Sequence, residues 1–271
     1  MNKIIGFIGG GNMASAIIGG ILQSGLAAKD QIIASDKLEG ARRLLKERFG
    51  IRATENNRKT AETADILFLA VKPHFFPDVI AEIKDSIRSD TLLVSIAAGQ
   101  SISAIENRFG KTIRLVRAMP NTPALVGAAM SALSPNKEVS EAELAEVTAI
   151  FESFGACEVV PETMMDTVVG VSGSSPAYVY LFIEAMADAA VADGMPRAQA
   201  YKFAAQAVLG SAKMVLETNT HPGPLKDAVC SPGGTTIEAV AVLEEQGLRS
   251  AVIKAQRACV EKSRELGKAN S

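Results

Sequence analysis

The 271-residue sequence predicts an α/β fold, in which a doubly wound sheet is followed by an all-α domain. Over residues 1–163, short apolar runs alternate with amphipathic segments, as a parallel sheet with covering helices requires. Over residues 164–271, long alanine-rich segments have helical periodicity and almost no strand pattern. A glycine-rich turn, Gly9-Gly10-Gly11, directly follows the first apolar run. We therefore place a domain boundary between residues 163 and 164.

The strands of the first domain are predicted from its short apolar runs, which are bounded by turn residues. They cover residues 4–8, 31–35, 66–70, 92–96, 113–118 and 128–133, and a short strand at 158–160 closes the sheet. Amphipathic periodicity predicts helices over Glu39–Phe49 and over residues 77–87. Two Ser-x-x-Glu sequences, at Ser103 and Ser140, have the capping-box pattern that predicts the start of a further helix.

The second predicted domain consists of helices, over residues 176–192, 196–217, 237–245 and 248–266. Ser175-Pro176 and Pro196 each favour a helix start with proline in the first turn. Thr235-x-x-Glu238 is another capping-box sequence, directly after a turn at residues 231–234. Because residues 179–192 and 203–215 are apolar around most of the helix, we expect this domain to mediate self-association.

Composition and charge exclude several classes of protein. The formal net charge of −2, with 21% charged and 48% apolar residues, is typical of a globular protein without a nucleic-acid-binding surface. The sequence has neither a cleavable leader nor an apolar stretch of about 18 residues, so we expect a cytoplasmic protein with no membrane segment. The scattered Cys157, Cys230 and Cys259, with His74 and His221 as the only histidines, disfavour a disulfide framework and a metal site.

The glycine-rich turn has the G-x-G-x-x-A pattern of a Rossmann-type dinucleotide site. In this pattern Gly9 permits a sharp turn, Gly11 lets the backbone approach a pyrophosphate, and Ala14 lets the helix pack closely on the strand. The N–H groups and dipole of that helix then face the phosphates. A glycine-rich loop without a ligand is the alternative, but the flanking strand and helix favour the dinucleotide site. The second strand ends at Asp36, where the adenosine ribose normally lies.

Further loops are expected at the carboxyl ends of the strands, the crevice where such sheets bind ligands. They include Ala70-Val71-Lys72-Pro73, whose lysine could reach a phosphate or ribose, and Met119-Pro120-Asn121. In the helical domain, residues 170–177 and 231–236 place small residues before predicted helix starts, which suits a substrate carboxylate. Ordinary turns and helix caps would explain the same residues. If Thr235 caps its helix, the Thr236 hydroxyl is free for a ligand.

The need for a general base separates two enzyme classes. A hydroxy-acid dehydrogenase needs a histidine or lysine to take the hydroxyl proton, and neither histidine lies in a distinctive motif. Lys202, Lys213 and Lys226 are the candidate lysines. Reduction of a protonated imine needs no such base, because the cofactor delivers hydride and the protein positions the reactants. The sequence favours imine reduction, and a non-catalytic dinucleotide-sensing protein is the third alternative.

Together, the motifs resemble those of pyrroline-5-carboxylate reductase over essentially the whole chain. They are GFIGGGNMA at residues 6–14, LAVKPH at 69–74, VSIAAG at 94–99, RAMPNTP at 117–123, VSGSSPAY at 171–178 and HPGPLKDAVCSPGGTT at 221–236. The resemblance implies reduction of 1-pyrroline-5-carboxylate to L-proline, the last step of proline biosynthesis, with NADPH or NADH. It also implies a homo-oligomer, with dimers assembled into a decamer through interlocked helical domains, so that each substrate site uses residues of a neighbour.

The resemblance also assigns site residues by their positions in these motifs. Thr236 is implied to be catalytic and to bind substrate together with Ser174, Ser175, Gly233 and Gly234. The residues implied to bind the dinucleotide lie at the strand ends. They are Ile8, Gly9, Gly10, Gly11, Asn12, Met13, Ser35, Asp36, Asn57, Ala70, Val71, Lys72, Pro73, Met119, Pro120 and Asn121.

Asp36 departs from this family, in which a serine or a similar neutral residue is common and NADPH is usual. A carboxylate at this position accepts hydrogen bonds from the ribose of NADH and repels the 2′-phosphate of NADPH. Lys37, Arg42 and Arg43 follow closely and could offset its charge. We therefore expect both cofactors to be used, with weaker discrimination in favour of NADPH than in relatives with a neutral residue.

Overall fold

The computed structural model describes residues 1–269, which form two compact units. The first unit is Met1–Ser174 together with the chain from Cys259 onward, and the second is Ser175–Ala258. The boundary between residues 163 and 164 rests on composition and stays a prediction. None of the helices in the described part of the chain is long and apolar enough to cross a membrane.

A sheet of eight strands forms the centre of the first unit. The strands are β1 (Ile5–Ile8), β2 (Ile32–Ser35), β3 (Arg52–Thr54), β4 (Ile66–Leu69), β5 (Leu92–Ser95), β6 (Arg114–Met119), β7 (Ala129–Pro135) and β8 (Gly155–Val159). Their order is β3-β2-β1-β4-β5-β6-β7-β8, and neighbours are parallel except for β6 and β7. The chain builds the sheet outward from β1 in both directions, which confirms the doubly wound prediction.

Helices cover both faces of this sheet. They are α1 (Asn12–Gln23), α2 (Glu39–Phe49), α3 (Asn57–Thr63), α4 (Phe76–Ile83), α5 (Ile102–Phe109), α6 (Glu141–Glu152) and α7 (Met165–Val168), and a π-helical turn, Val169–Gly173, follows α7. On one face, α1 and α6 pack on the strands around Phe7 and Phe68, whose rings stack with centroids 4.7 Å apart. On the other face, Ile80 of α4 and Ile105 of α5 are fully buried against Leu67.

Three elements of the first unit, β3, α3 and the short helix α7, are not predicted from the sequence. The predicted strands are all present, with ends shifted by a few residues. However, β3 is a three-residue edge strand with Arg52 exposed, so it lacks the apolar alternation that identifies a strand. In α3, polar residues outnumber apolar ones, and its start is marked only by Asn56, whose side chain accepts a hydrogen bond from the Lys59 N–H.

The capping boxes have different outcomes. Ser140 caps α6 as predicted, since its hydroxyl accepts from the Glu143 N–H and the Glu143 carboxylate accepts from the Ser140 N–H at 2.9 Å. The prediction at Ser103 is wrong, because Ser101 caps α5 and accepts from the Ala104 N–H at 3.1 Å. The side chain of Glu106, the proposed partner of Ser103, instead accepts from Asn136 Nδ2 at 2.8 Å.

The second unit is helical, as predicted. Its helices are α8 (Ser175–Ala192), α9 (Arg197–Thr218), α10 (Pro222–Ala228), α11 (Thr235–Glu245) and α12 (Leu248–Ala269), whose last part belongs to the first unit. The short helix α10 was not predicted because it contains two prolines. His221, expected in a loop, is its N-cap, and His221 Nδ1 accepts from the Gly223 N–H at 3.0 Å.

Several predicted helix starts are wrong. Thr235 is the first residue of α11 and Gly234 is the N-cap, so no threonine–glutamate capping box forms. Ser175 was predicted to be an N-cap after a loop, but it is the first residue of α8. Helix α7 and the π-helical turn come just before it, so residues 170–174 are not a loop. Pro196 is the N-cap of α9 and not its first helical residue.

The second unit buries little apolar surface by itself. The buried residues of α8 and α9 are the small Ala187, Ala200 and Ala204. In contrast, the Phe203 side chain is 67% exposed and that of Leu216 is 82% exposed. Large apolar patches on soluble proteins usually mark interaction surfaces. The unit therefore has the surface that the predicted self-association requires.

The two serine sequences give a test of the caps. Replacing Ser140 by alanine should lower the free energy of unfolding by about 1 kcal/mol, because a helix N-cap is lost. The Ser103→Ala variant should lose less than about half of this, since Ser103 does not cap α5. Urea denaturation at one protein concentration measures both values. Equal losses in the two variants would contradict the assigned caps.

Candidate active site

The glycine turn lies where β1 meets both of its neighbours in the sheet. The Gly9 N–H donates to Ser35 O at the end of β2, and the Ala70 N–H, just past β4, donates to Ile8 O, both at 2.8 Å. Gly9 has a φ of +100°, and a Cβ there would lie 2.5 Å from Ala70 O. This position therefore requires glycine. The turn sits at the carboxyl edge of the sheet, where doubly wound folds bind ligands.

The start of α1 is open toward solvent and suits an anion. Gly11 is the N-cap and provides no capping side chain. Among residues 1–269, nothing lies within 4 Å of a Cβ built on Gly11, whereas Ala14 is buried in the core. Asn12 and Met13 form the first turn, whose N–H groups have no partner within the helix. The free space and the N–H donors fit the pyrophosphate of a dinucleotide.

The Asp36 carboxylate is fixed against this turn. Its Oδ2 accepts a hydrogen bond from the Gly10 N–H, and its Oδ1 accepts one from the Leu38 N–H, both at 2.8 Å. A Cβ on Gly10 would lie 2.7 Å from Leu45 Cδ1, so a side chain there would require Leu45 to move. The Ser35 side chain is buried, and its hydroxyl donates to Phe7 O of β1 at 3.4 Å, so it is turned toward the neighbouring strand. Asp36 is thus presented at the sheet edge, as predicted for the end of the second strand.

Asn57 contacts a glutamate that sequence reasoning missed. Asn57 begins α3, is 3% exposed, and donates from Nδ2 to Glu82 Oε2 of α4 at 2.8 Å. The Lys37 ammonium, one residue past Asp36, lies 3.5 Å from the same Glu82 oxygen. Glu82 stands in an ordinary amphipathic helix with no motif, so nothing in the sequence identifies it.

The loop after β4 lies next to the glycine turn. Ala70 contacts Gly9 through its backbone, and Val71 lies beside the same glycine, with Val71 Cγ1 3.1 Å from the position of a Gly9 Cβ. Lys72 is exposed, and Pro73 begins a short 3-10 turn, Pro73–Phe75. The structure thus brings the predicted loop next to the glycine turn and leaves the Lys72 side chain in solvent.

The loop at residues 119–121 is joined to the π-helical turn. Asn121 is 8% exposed; its Nδ2 donates to Ser172 O and its Oδ1 accepts from the Met130 N–H, both at 3.0 Å. A Cβ on Gly173 would lie 2.9 Å from Met119 Cε. Pro120, between them, is buried. A π-helical turn is rare and often marks a functional position. This contact was not predicted, because the sequence suggested a loop at Gly173.

Ser174 ends the π-helical turn and contacts α12. The Cys259 thiol donates to Ser174 Oγ at 3.2 Å, and Ser263 Oγ, one turn further along α12, donates to Asp166 Oδ1 at 2.6 Å. These contacts place the predicted substrate serine in the same unit as Met119 and Asn121. Cys259 lies 85 residues away in sequence, and no motif connects the two.

The other predicted substrate residues belong to the second unit. Ser175 starts α8, and the turn before α11 contains Gly233 with a φ of +65°, a value that favours glycine. A Cβ on Gly234 would lie 2.4 Å from Ser231 Oγ, so a side chain there would require the Ser231 hydroxyl to move. In the first turn of α11, Thr236 is half-buried whereas its neighbour Thr235 is exposed.

Family models match both parts of the chain. Residues 162–266 match the model described as "Pyrroline-5-carboxylate reductase dimerisation". Residues 4–99, which contain the glycine turn, match "NADP oxidoreductase coenzyme F420-dependent".

Relatives and solved structures match over the full length. The pyrroline-5-carboxylate reductase of Escherichia coli is 56% identical over 99% of this chain and 100% of its own length, and that of Methanosarcina acetivorans is 45% identical over 98% and 99%. The Coxiella burnetii reductase structure has a TM-score of 0.92 and 38% identity, covering 98% of this chain and 99% of its own. The Plasmodium falciparum structure, with NADP bound, has a TM-score of 0.89 and 33% identity, covering 98% of both chains. With the glycine turn, the sheet and the helical second unit in place, the chain belongs to the pyrroline-5-carboxylate reductase family.

Proposed function

We propose that this chain reduces 1-pyrroline-5-carboxylate to L-proline by hydride transfer from NADPH or NADH, the last step of proline biosynthesis. The observation that carries this proposal is the open N-terminus of α1, which lies in the same compact unit as the loop at residues 119–121 and Ser174. Membership of the reductase family supports the choice of substrate and cofactor.

The dinucleotide, when bound, supplies the hydride to the imine carbon of the substrate. The chain binds and orients the two molecules. The N–H groups at residues 11–13 hold the phosphates. Asn121, fixed between Met130 and Ser172, holds its loop rigid beside the π-helical turn, so the nicotinamide ring finds a preformed surface. The Thr236 hydroxyl donates a hydrogen bond to the carboxylate of the substrate or accepts one from its protonated ring nitrogen.

We propose the following residues for the two parts of the site. Thr236 has the catalytic role, and the substrate is held by Thr236, Ser174, Ser175, Gly233 and Gly234. The dinucleotide is held by residues 8–13, Ser35, Asp36, Asn57, residues 70–73 and residues 119–121. The Ser35 hydroxyl is buried and bonded to Phe7 O, so Ser35 would contribute to the dinucleotide site only through its backbone.

The alternative of a hydroxy-acid dehydrogenase has little support. Such an enzyme needs a lysine that is available as a proton acceptor. Lys213 pairs with Glu217 at 3.3 Å and Lys226 with Asp227 at 2.5 Å, while Lys202 lines a groove on α9 with Phe203 and Leu209. The hydrogen bond to the Asp227 carboxylate raises the pKa of Lys226, which is the opposite of what a proton acceptor requires.

The second unit mediates self-association, in keeping with its match to a dimerisation family model. We propose that the dimers assemble further into a decamer, that residues 164–271 act as the oligomerisation domain, and that the protein works in the cytoplasm. The exposed apolar side chains of α8 and α9 support the oligomer. An aqueous compartment suits a chain whose described helices include none that could span a membrane.

A single assay tests the proposed reaction. Adding 1-pyrroline-5-carboxylate to the protein with NADPH or NADH should decrease the absorbance of the reduced nicotinamide and produce L-proline in equal amounts. A non-catalytic sensor would bind the cofactor without turnover. A hydroxy-acid dehydrogenase would oxidise a hydroxy acid and leave the pyrroline unchanged. Either result would contradict the proposed function.

The role of Thr236 is tested by its replacement with alanine. Loss of one positioned hydrogen bond should cost about 1–3 kcal/mol of transition-state binding, a roughly ten- to hundredfold loss in kcat/KM. Thr236→Ser should retain most of the activity. Thr235→Ala is the matched control, since Thr235 is exposed and does not cap α11. A folded Thr236→Ala enzyme with unchanged kinetics would show that this hydroxyl does not touch the substrate.

The oligomer is tested by light scattering. At micromolar concentration the mass should be a multiple of the 28.4 kDa chain mass. Phe203→Glu should reduce it, because a charge replaces an apolar side chain on α9 that is 67% exposed in the single chain. Leu44→Glu, on α2 of the first unit, is the control and should leave the mass unchanged, since Leu44 is 48% exposed outside the helical unit. A monomer mass for the unmodified protein would contradict self-association.

A further inference from the structure

We infer that this protein prefers NADH over NADPH, because Asp36 is fixed at the end of β2, the position that contacts the adenosine ribose in doubly wound folds, and because Glu82 pairs with Lys37, the cation next to Asp36 in the chain. This inference rests on the proposed dinucleotide site. It concerns the adenosine end of that site and is independent of the substrate-binding residues.

The Asp36 carboxylate is held so that it cannot easily turn away from a bound dinucleotide. Both of its oxygens accept backbone N–H bonds at 2.8 Å, and one donor, Gly10, belongs to the phosphate-binding turn itself. Hydrogen bonds to an ionised acceptor are stronger than neutral ones. Rotation of the side chain to admit a phosphate would break both. The fixed carboxylate can accept from the ribose hydroxyls of NADH but meets the 2′-phosphate of NADPH with like charge.

Each cation near Asp36 in sequence is paired with a carboxylate. Arg42 donates from one Nη to both Asp36 O and Lys37 O at 2.8 Å, and its other Nη lies 3.7 Å from Glu55. Arg43 Nε lies 3.8 Å from Glu47, four residues further along α2. Lys37 pairs with Glu82 at 3.5 Å. The cations that could offset Asp36 are therefore already partly neutralised by neighbours.

Two of these pairs involve exposed cations and can change, Lys37 with Glu82 and Arg43 with Glu47, and Lys37 is the cation directly next to Asp36 in the chain. The Lys37 side chain is 71% exposed, whereas that of Arg42 is 18% exposed and bound to backbone oxygens. Exposed ion pairs are weak and their long side chains are mobile. Glu82, in contrast, is anchored by the amide of the buried Asn57 at 2.8 Å. Glu82 is thus a positioning residue, which keeps Lys37 away from a 2′-phosphate and adds a second negative charge.

Calorimetric titration with NAD⁺ and NADP⁺, without substrate, tests this inference apart from turnover. The unmodified protein should bind NAD⁺ at least about tenfold more tightly than NADP⁺ at low salt. Raising the ionic strength should reduce this ratio, because screening weakens charge repulsion. Steady-state kcat/KM for NADH and NADPH should show the same preference.

Variants then separate the residues. Asp36→Ser should lower the NAD⁺/NADP⁺ affinity ratio about tenfold or more, and Asp36→Asn, which keeps a hydrogen-bond acceptor, should lower it as well. Glu82→Gln retains an acceptor for Asn57 and loses only the charge, so it should lower the ratio roughly two- to fivefold, as expected for an exposed pair. This change should become smaller in a Lys37→Ala background, where only the effect of the Glu82 charge itself remains. Glu217→Gln, which removes the same charge from the exposed pair with Lys213 in the second unit, is the matched control and should leave the ratio unchanged.

The outcomes distinguish the inference from the function on which it rests. Equal or tighter binding of NADP⁺ by the unmodified protein, together with reduction of the pyrroline, would overturn the NADH preference and leave the proposed function intact. An unchanged ratio in both folded Asp36 variants would also overturn it. If neither dinucleotide binds, the dinucleotide site itself is wrong, and the inference and the proposed function fall together.

Discussion

At Gly9 the backbone passes so close to the end of β4 that a side chain would overlap Ala70 O, while the Gly9 N–H is bound to Ser35 at the end of β2. This double contact ties the turn to both neighbours of the central strand. It therefore fixes where α1 begins relative to the sheet edge. The open N-cap at Gly11, the hydrogen bond from Gly10 to Asp36 and the close position of Val71 all follow from that placement. A larger residue at Gly9 would disturb the whole dinucleotide edge of the sheet.

Much of the fold could be predicted because its central strands are buried on both faces. Strands such as β1, β4 and β5 are apolar runs of four buried residues, which the sequence shows directly. In contrast, β3 at the edge has polar residues, and α10 is short and proline-rich, so neither gives a periodic pattern. The capping sequences show a further limit. Ser140 and Thr235 are each followed three residues later by a glutamate. However, only Ser140 is an N-cap with an extended backbone, whereas Thr235 is already the first residue of its helix.

The site was predictable where its residues are neighbours in sequence. The glycine turn and the end of the second strand are local features, and the structure places them together. The contacts from Asn121 to Ser172, from Asn57 to Glu82 and from Cys259 to Ser174 join residues from distant segments. Such pairings depend on how the helices pack, and one chain without related sequences gives no signal for them. Motifs therefore predict which residues form the candidate site, but they do not predict the partners that orient these residues.

The π-helical turn has a consequence for how this protein can vary. Asn121 binds Ser172 within the turn, and Cys259 binds Ser174 at its end, so two fixed points lie only two residues apart. Each residue added to or removed from a helix rotates everything beyond it by about 100°. A single deletion here would turn Ser174 away from the thiol that contacts it. Residues 169–174 should thus tolerate some substitutions more readily than an insertion or a deletion. The number of residues in this stretch sets the direction in which Ser174 points.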